Sequence, residues 1–272
     1  MDVKDSSKSE GANIELKSRN NNDSQIWKVS HDEKGYVTFT NTKTGKVLST
    51  DNVANNSNIF QKEKTNNYNE KWIVKEDGTI ISALDEKYVI DLRWGEAKDG
   101  SNIQLYESNG SKAQKWQFHD ASKLDKLAEK NKDIVTDGNY VLSSSIKNSY
   151  VMDVKDSSKS EGANIELKSR NNNDSQIWKV SHDEKGYVTF TNTKTGKVLS
   201  TDNVANNSNI FQKEKTNNYN EKWIVKEDGT IISALDEKYV IDLRWGEAKD
   251  GSNIQLYESN GSKAQKWQFH DV

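Results

Sequence analysis

Residues 1–120 and 152–271 are the same sequence, residue for residue, at an offset of 151. Met1-Asp2-Val3-Lys4 returns as Met152-Asp153-Val154-Lys155, and Trp116-Gln117-Phe118-His119-Asp120 returns as Trp267-Gln268-Phe269-His270-Asp271. A duplication this complete means one domain type used twice, and it fixes the domain count at two. Between the copies lies 121–151, which occurs once.

A weaker period runs inside each copy. Gln25-Ile26-Trp27, Glu70-Lys71-Trp72 and Gln114-Lys115-Trp116 stand 45 and 44 residues apart by their tryptophans. Each follows an Asn-Ile pair (Asn13-Ile14, Asn58-Ile59, Asn102-Ile103) and, earlier, a short alternating run such as Lys46-Val47-Leu48-Ser49 or Tyr88-Val89-Ile90-Asp91. Gly-led strands open the sub-repeats at Gly138-Asn139-Tyr140-Val141, Gly35-Tyr36-Val37 and Gly78-Thr79-Ile80-Ile81. Alternation over four to six residues between Asn, Gly, Asp and Ser clusters reads as short strands and turns. About four strands per sub-repeat follow, hence about twelve per copy.

Composition excludes several classes. Hydrophobic residues make up 32 %, which suits small all-β domains with polar turns better than a large α/β enzyme. The formal net charge is −3 with both signs interspersed, so nucleic acid is not an expected partner. No apolar run is long enough to span a bilayer, so membrane insertion is not expected either. Met1 to Gly11 is charged, lacks an apolar core and does not read as a signal peptide. With no cysteine there is no disulfide framework and no thiolate chemistry.

Three four-stranded repeats of this length, each ending near Gln-x-Trp, resemble the ricin B-type β-trefoil lectins over nearly the whole of both copies. Asn102-Ile103-Gln104-Leu105-Tyr106 followed by Ala113-Gln114-Lys115-Trp116 is similar to the bacterial form found in secreted cell-wall hydrolases, bacteriocins and toxins. The resemblance implies two tandem all-β trefoils: 1–120 without its opening strand, a short helical linker at 121–137, and a complete copy at 138–272. Trp27, Trp72 and Trp116 are expected in the core, since a buried Trp removes about 150–250 Å² from water.

In that family a sugar site pairs an Asp at the end of a sub-repeat's second strand with an aromatic on the third, two residues after a Gln or Asn. The third sub-repeat here fits: Asp91, then Gln104 and Tyr106, with Asn109 and Gln114 as further amides and Trp94 extending the aromatic platform. Its duplicate is Asp242, Trp245, Gln255, Tyr257, Asn260 and Gln265. Ala113 and Ala264 stand where plant lectins usually carry Asn. The first sub-repeat keeps Asp2 and Asp153 as weaker candidates, but Lys17 and Lys168 replace the aromatic. The second, with Ser49 and Lys62 (Ser200 and Lys213), has lost both groups and reads as structural. A competing role for Asp91 is capping its own turn, and one for Trp94 is contact between domains.

His31, His119, His182 and His270 form no H-x-x-x-H pattern, no Gly-x-Ser-x-Gly elbow or P-loop occurs, and no Ca²⁺-loop spacing is present. Neither catalysis, nor a metal, nor a cofactor is therefore expected. Two functions remain: a glycan-binding pair (galactose-type or amino sugars) that targets a larger protein to cell-surface or cell-wall sugars, and a structural or protein-interaction trefoil with decayed sites. The family's company suggests a secreted bacterial, extracellular or cell-surface setting.

Residues 121–132 read as a helix with Ser122 as N-cap and Leu124, Leu127 and Ala128 on one face. The opening strand 138–151 is continuous with copy two and has no counterpart before Met1, so two cores compete for one strand. The favoured assignment gives it to copy two and makes the chain a fragment of a longer array. The copy without it has an unpaired edge, which invites strand exchange between chains.

Overall fold

The computed structural model describes residues 1–272. The chain divides into two compact units, Met1–His119 and Asp120–Val272. All sheet pairing is antiparallel and lies within one unit or the other. Both units are built from short strands linked by turns and single-turn 3₁₀ segments, as the alternating runs predict.

Unit 2 is the fuller of the two. Its opening strand Gly138–Ser144 is hydrogen-bonded along one edge to Ile177–His182 and along the other to Trp267–Asp271, with Tyr140 opposite both Trp178 and Asp271. Lys147–Val154 then pairs with Ile165–Ser169. Three tryptophans of the Gln-x-Trp type, Trp178, Trp223 and Trp267, are at most 2 % exposed. Each indole N–H donates to a main-chain carbonyl, of Met152, Leu199 and Ile241 in turn (3.1–3.3 Å). A buried indole needs such an acceptor, which explains why the motif recurs at fixed distance from the second strand of each sub-repeat.

The Asn of each Asn-Ile pair has its own role. Asn164, Asn209 and Asn253 close a ring of side-chain amide bonds: Asn164 donates to Asn253 (2.9 Å), Asn209 to Asn164 (2.8 Å) and Asn253 to Asn209 (2.9 Å). Unit 1 repeats the ring with Asn13, Asn58 and Asn102. One residue from each sub-repeat meets the other two, so the ring displays the threefold pseudosymmetry directly. Close approach fixes one glycine type as well. A Cβ on Gly229 would lie 2.4 Å from the Trp267 carbonyl oxygen, and one on Gly78 2.3 Å from that of Trp116.

The segment Asp120–Thr136 does not hang free as a tether. Helix Ala121–Asn131 lays Leu124 and Ala128 against Tyr187, Ile224, Ile232, Ala234 and Val240 of unit 2. Its N-cap is Asp120, whose carboxylate accepts from Ser122 N at 2.9 Å, and not Ser122 as the sequence suggested. Two capping residues two positions apart made that choice ambiguous, and the better acceptor took the position.

Unit 1 has the same sequence without a strand equivalent to Gly138–Ser144. Trp27–His31 pairs only with Val37–Asn41, and Trp116–Asp120 forms no strand at all. Of the counterpart of Lys147–Val154 the sequence holds residues 1–3, of which Asp2–Val3 form a strand.

Candidate functional site

One hairpin assembles the third sub-repeat's set. Tyr88–Leu92 and Ile103–Glu107 pair with Asp91 opposite Gln104 and Val89 opposite Tyr106; Tyr239–Leu243 and Ser252–Glu258 repeat this with Asp242 opposite Gln255 and Val240 opposite Tyr257. Directly opposed residues share a face, and so do residues two apart on a strand, so carboxylate, amide and phenol emerge together.

Asp91 is nearly buried. Its Oδ1 accepts from Gln104 Nε2 at 3.0 Å and its Oδ2 from Gln114 Nε2 at 3.2 Å. Both oxygens thus take side-chain amides, and neither caps its own turn. In unit 2 Gln255 donates to Asp242 Oδ1 at 3.0 Å, and Gln265 also bonds this carboxylate. A carboxylate offers about four lone-pair sites, so two remain for hydroxyl donors.

The glutamines differ in what they leave over. Gln114 also donates to Glu107 O (3.0 Å) and accepts from Asn109 N (2.8 Å), and Gln265 treats Glu258 and Asn260 alike. These two are spent on protein groups. They hold the carboxylate from beneath, which corrects the expectation that they present amides to a ligand. Gln104 and Gln255, by contrast, keep a buried Oε1 with no partner. An unpaired buried acceptor is costly unless a ligand or water supplies the donor.

In unit 2 these groups line a cavity of about 530 Å³ that contains Asp242, Trp245, Gln255, Tyr257 and Asn260. Five of the six residues named there from sequence are thereby brought together, and Gln265 lies under them. Trp245 is 78 % exposed and Trp94 77 %, which for an aromatic of this size is exceptional. Each also adopts a left-handed backbone, φ 58°. A bulky residue in that region carries a steric cost of order 1–3 kcal/mol, of the kind stored at ligand-binding positions. Arg244 and Arg93 set their guanidinium groups 4.3 Å from the indole rings of Trp245 and Trp94, holding the rings out.

Burial raises the carboxyl pKa of Asp242 above the ordinary 3.8, while the Gln255 and Gln265 amides oppose the shift. The folded state therefore holds a proton more readily than the unfolded one. Ionised Asp242 costs stability above its raised pKa, and acidification through it relieves that cost while removing the acceptor.

The other sub-repeats differ from the third in the groups they bring together. Asp2 and Asp153 are buried and bonded by Gln25 and Gln176 (3.1 and 3.0 Å), yet the residues opposite them are Glu15 and Glu166 instead of Gln. Burial pushes the Glu166 carboxyl up. Lys17 reaches toward Glu15 at 3.9 Å where the aromatic would stand. In the second sub-repeat Gln61 is consumed by the Ser7 and Ser9 carbonyls, and buried Glu70 replaces the Gln of Gln-x-Trp, accepting from Thr65 N (3.0 Å) and Thr65 Oγ1 (2.9 Å).

Sequence reasoning missed six cavity residues of unit 2: Ile146, Asn207, Leu243, Gly246, Ser262 and Lys263. Ser262 and Lys263 sit in the turn before Gln265 and were within reach of a local reading. Ile146 and Asn207 come from the first and second sub-repeats, and only the closed barrel brings them in. No group of three or more His, Asp or Glu side chains stands close enough to hold a metal ion.

Sequence models of two families match the chain: the ricin-type β-trefoil lectin domain over residues 1–116 and 186–272, and a ricin-type β-trefoil lectin domain-like family over 114–213. No curated protein sequence gives a significant match. Among solved structures, a mosquitocidal holotoxin is similar at 18 % identity and TM-score 0.53, covering 100 % of this chain and 32 % of its own. This chain thus spans about a third of that toxin's length, and the likeness is one of fold. The designed threefold-symmetric protein ThreeFoil matches at 26 % identity and TM-score 0.48, covering 50 % of this chain and 100 % of its own. The Rhizoctonia solani agglutinin matches at 24 % and 0.46, covering 51 % and 97 %. With two copies of the Gln-x-Trp trefoil and family matches along most of its length, the chain belongs to the ricin-type β-trefoil lectin domains, a family of carbohydrate-binding modules.

Proposed function

We propose that the chain is a non-catalytic pair of glycan-binding modules whose sugar site is the third sub-repeat of each copy: Asp91, Trp94, Gln104, Tyr106 and Asn109, and Asp242, Trp245, Gln255, Tyr257 and Asn260. The observation that carries this reading is the unpartnered Gln255 Oε1 beside Asp242 in a cavity edged by Tyr257 and an outward-held Trp245. Asp242 and Gln255 accept from neighbouring sugar hydroxyls, the Asn260 amide donates, and an aromatic face covers the pyranose C–H groups. Galactose-type or amino sugars fit this chemistry. Gln114 and Gln265 act as positioning residues.

Two sites on one chain raise apparent affinity for multivalent glycans by about 10²–10⁴ where the spacing lets both engage. That gain suits a module that delivers a larger protein to cell-surface or cell-wall sugars outside a bacterial cell. The test is a glycan array with the full chain beside a variant carrying Asp91→Ala, Tyr106→Ala, Asp242→Ala and Tyr257→Ala. Binding to galactose- or amino-sugar-bearing glycans, lost in the variant, is the expected result. Binding that survives moves the site to Asp2 and Asp153. An array without signal leaves a protein-interaction trefoil as the better reading.

A further inference from the structure

The first sub-repeat of unit 2 keeps the frame of the third and puts different charges on it. Asp153 stands opposite Glu166 as Asp242 stands opposite Gln255. Asp156 takes the position of Trp245 just after the strand, with the same left-handed backbone (φ 54° against 58°). Lys168, two residues beyond Glu166, takes the position of Tyr257. A neutral amide, an indole and a phenol have become two carboxylates and an ammonium, and the buried Asp is the one group kept.

These replacements leave one atom unserved. Asp242 Oδ1 accepts from the Gln255 amide at 3.0 Å. Asp153 takes Gln176 on Oδ2 at 3.0 Å, and its Oδ1 is buried with no partner. Asp153 is 4 % exposed and Glu166 6 %. An ionised Glu166 has no hydrogen to donate, so two buried acceptors meet across the strand pair. Buried charges of one sign call for a partner of the other. Lys155 and Lys168 reach Glu166 only through space, and Asp156 and Asp153 oppose them. Ca²⁺ is a poor match: it takes about six to eight oxygens, and no three carboxylates stand close enough to share an ion. An ammonium group fits, since its hydrogens can serve Asp153 Oδ1 and Glu166 at once.

We propose that the first sub-repeat is a second saccharide site whose ligand carries a free ammonium group: an amino sugar without an acetyl group, its nitrogen seated between Asp153 Oδ1 and Glu166 with Asp156 at the rim. That the ligand is a sugar rests on the reading of the third sub-repeat as a glycan site; the selectivity for an ammonium rests on these carboxylates alone. The two kinds of sub-repeat then divide one polymer between them, the third taking its neutral residues and the first its deacetylated ones. Unit 1 repeats the set as Asp2, Asp5, Glu15 and Lys17, and Asp2 Oδ1 is likewise buried without a partner.

The test titrates the full chain with galactosamine and with N-acetylgalactosamine near neutral pH, followed by chemical-shift changes. Tyr106→Ala with Tyr257→Ala silences the third sub-repeats; both side chains are part-exposed, so this background keeps its fold. Galactosamine should bind saturably there, at least tenfold more tightly than the acetylated sugar. Adding Glu15→Gln with Glu166→Gln should weaken it at least tenfold. Gln has the size of Glu and restores the donor seen at Gln255, so that variant folds too. With the tyrosines intact, N-acetylgalactosamine binding should survive the two Gln substitutions, and its absence beside normal galactosamine binding would count against the third sub-repeat alone. Three results overturn the proposal: no saturable galactosamine binding, equal affinity for both sugars, or affinity unchanged by the Gln pair.

Discussion

Trp116–Asp120 and Trp267–Asp271 have one sequence and two structures. In unit 2 the five residues are a strand paired to Ser144 through Tyr140; in unit 1 they form no strand. Trp27 is half-buried where Trp178 is fully buried, and the main core gathers 21 buried residues in unit 2 against 11 in unit 1. The lesson is that local propensity here only permits a strand. The partner edge decides, and it comes from residues outside the repeat.

The largest effect expected from this difference is in unfolding. Each apolar side chain moved from water to the core contributes about 1.5–3 kcal/mol, so the full chain should unfold in two steps, unit 1 first. Tryptophan fluorescence against denaturant would show them, and a single shared transition would erase the comparison. Next, Leu142→Ala, in the opening strand and fully buried, should lower unit 2 by about 2–5 kcal/mol and leave the first transition in place. A shift of both transitions together would mean that the segment serves more than unit 2.

Binding differences are smaller. Ile146 borders the unit 2 cavity and has no counterpart in unit 1. Ile146→Ala removes an apolar wall worth about 0.8 kcal/mol per buried methylene, so sugar affinity at unit 2 should fall about fourfold. Calorimetry should then find the two sites alike, and an unchanged unit 2 site would assign Ile146 to packing alone. The smallest effect concerns pH. Since burial lifts Asp242 above the ordinary value of 3.8, binding at unit 2 should begin to weaken on acidification before 3.8 is reached. A titration of affinity flat down to that value would place the charge elsewhere.

Much of this was written in the sequence because the repeat makes local rules global. Tryptophan spacing places the indoles in the core, and four of the six are buried while Trp27 and Trp116 are half-buried; the asparagine rings were not legible, since they need all three sub-repeats to meet. Asp91, Gln104 and Tyr106 share a face through strand periodicity alone. Ile146 and Asn207 were illegible because they arrive from other sub-repeats across the barrel. The saturation of Gln114 and Gln265 was equally hidden, since it depends on where the Glu107 and Glu258 carbonyls turn. The strand Gly138–Ser144, which occurs once, pairs within unit 2.

The most direct test of the glycan site is calorimetric titration of the full chain with N-acetylgalactosamine, at once a galactose-type and an amino sugar. Two sites per chain are expected, with one abolished by Asp242→Ala plus Tyr257→Ala and the other by Asp91→Ala plus Tyr106→Ala. Loss of one hydrogen bond to a charged group is worth about 1.5–3 kcal/mol, so even Asp242→Ala alone should weaken its site about 10- to 100-fold. Binding that keeps its stoichiometry and affinity in both double variants would contradict the account.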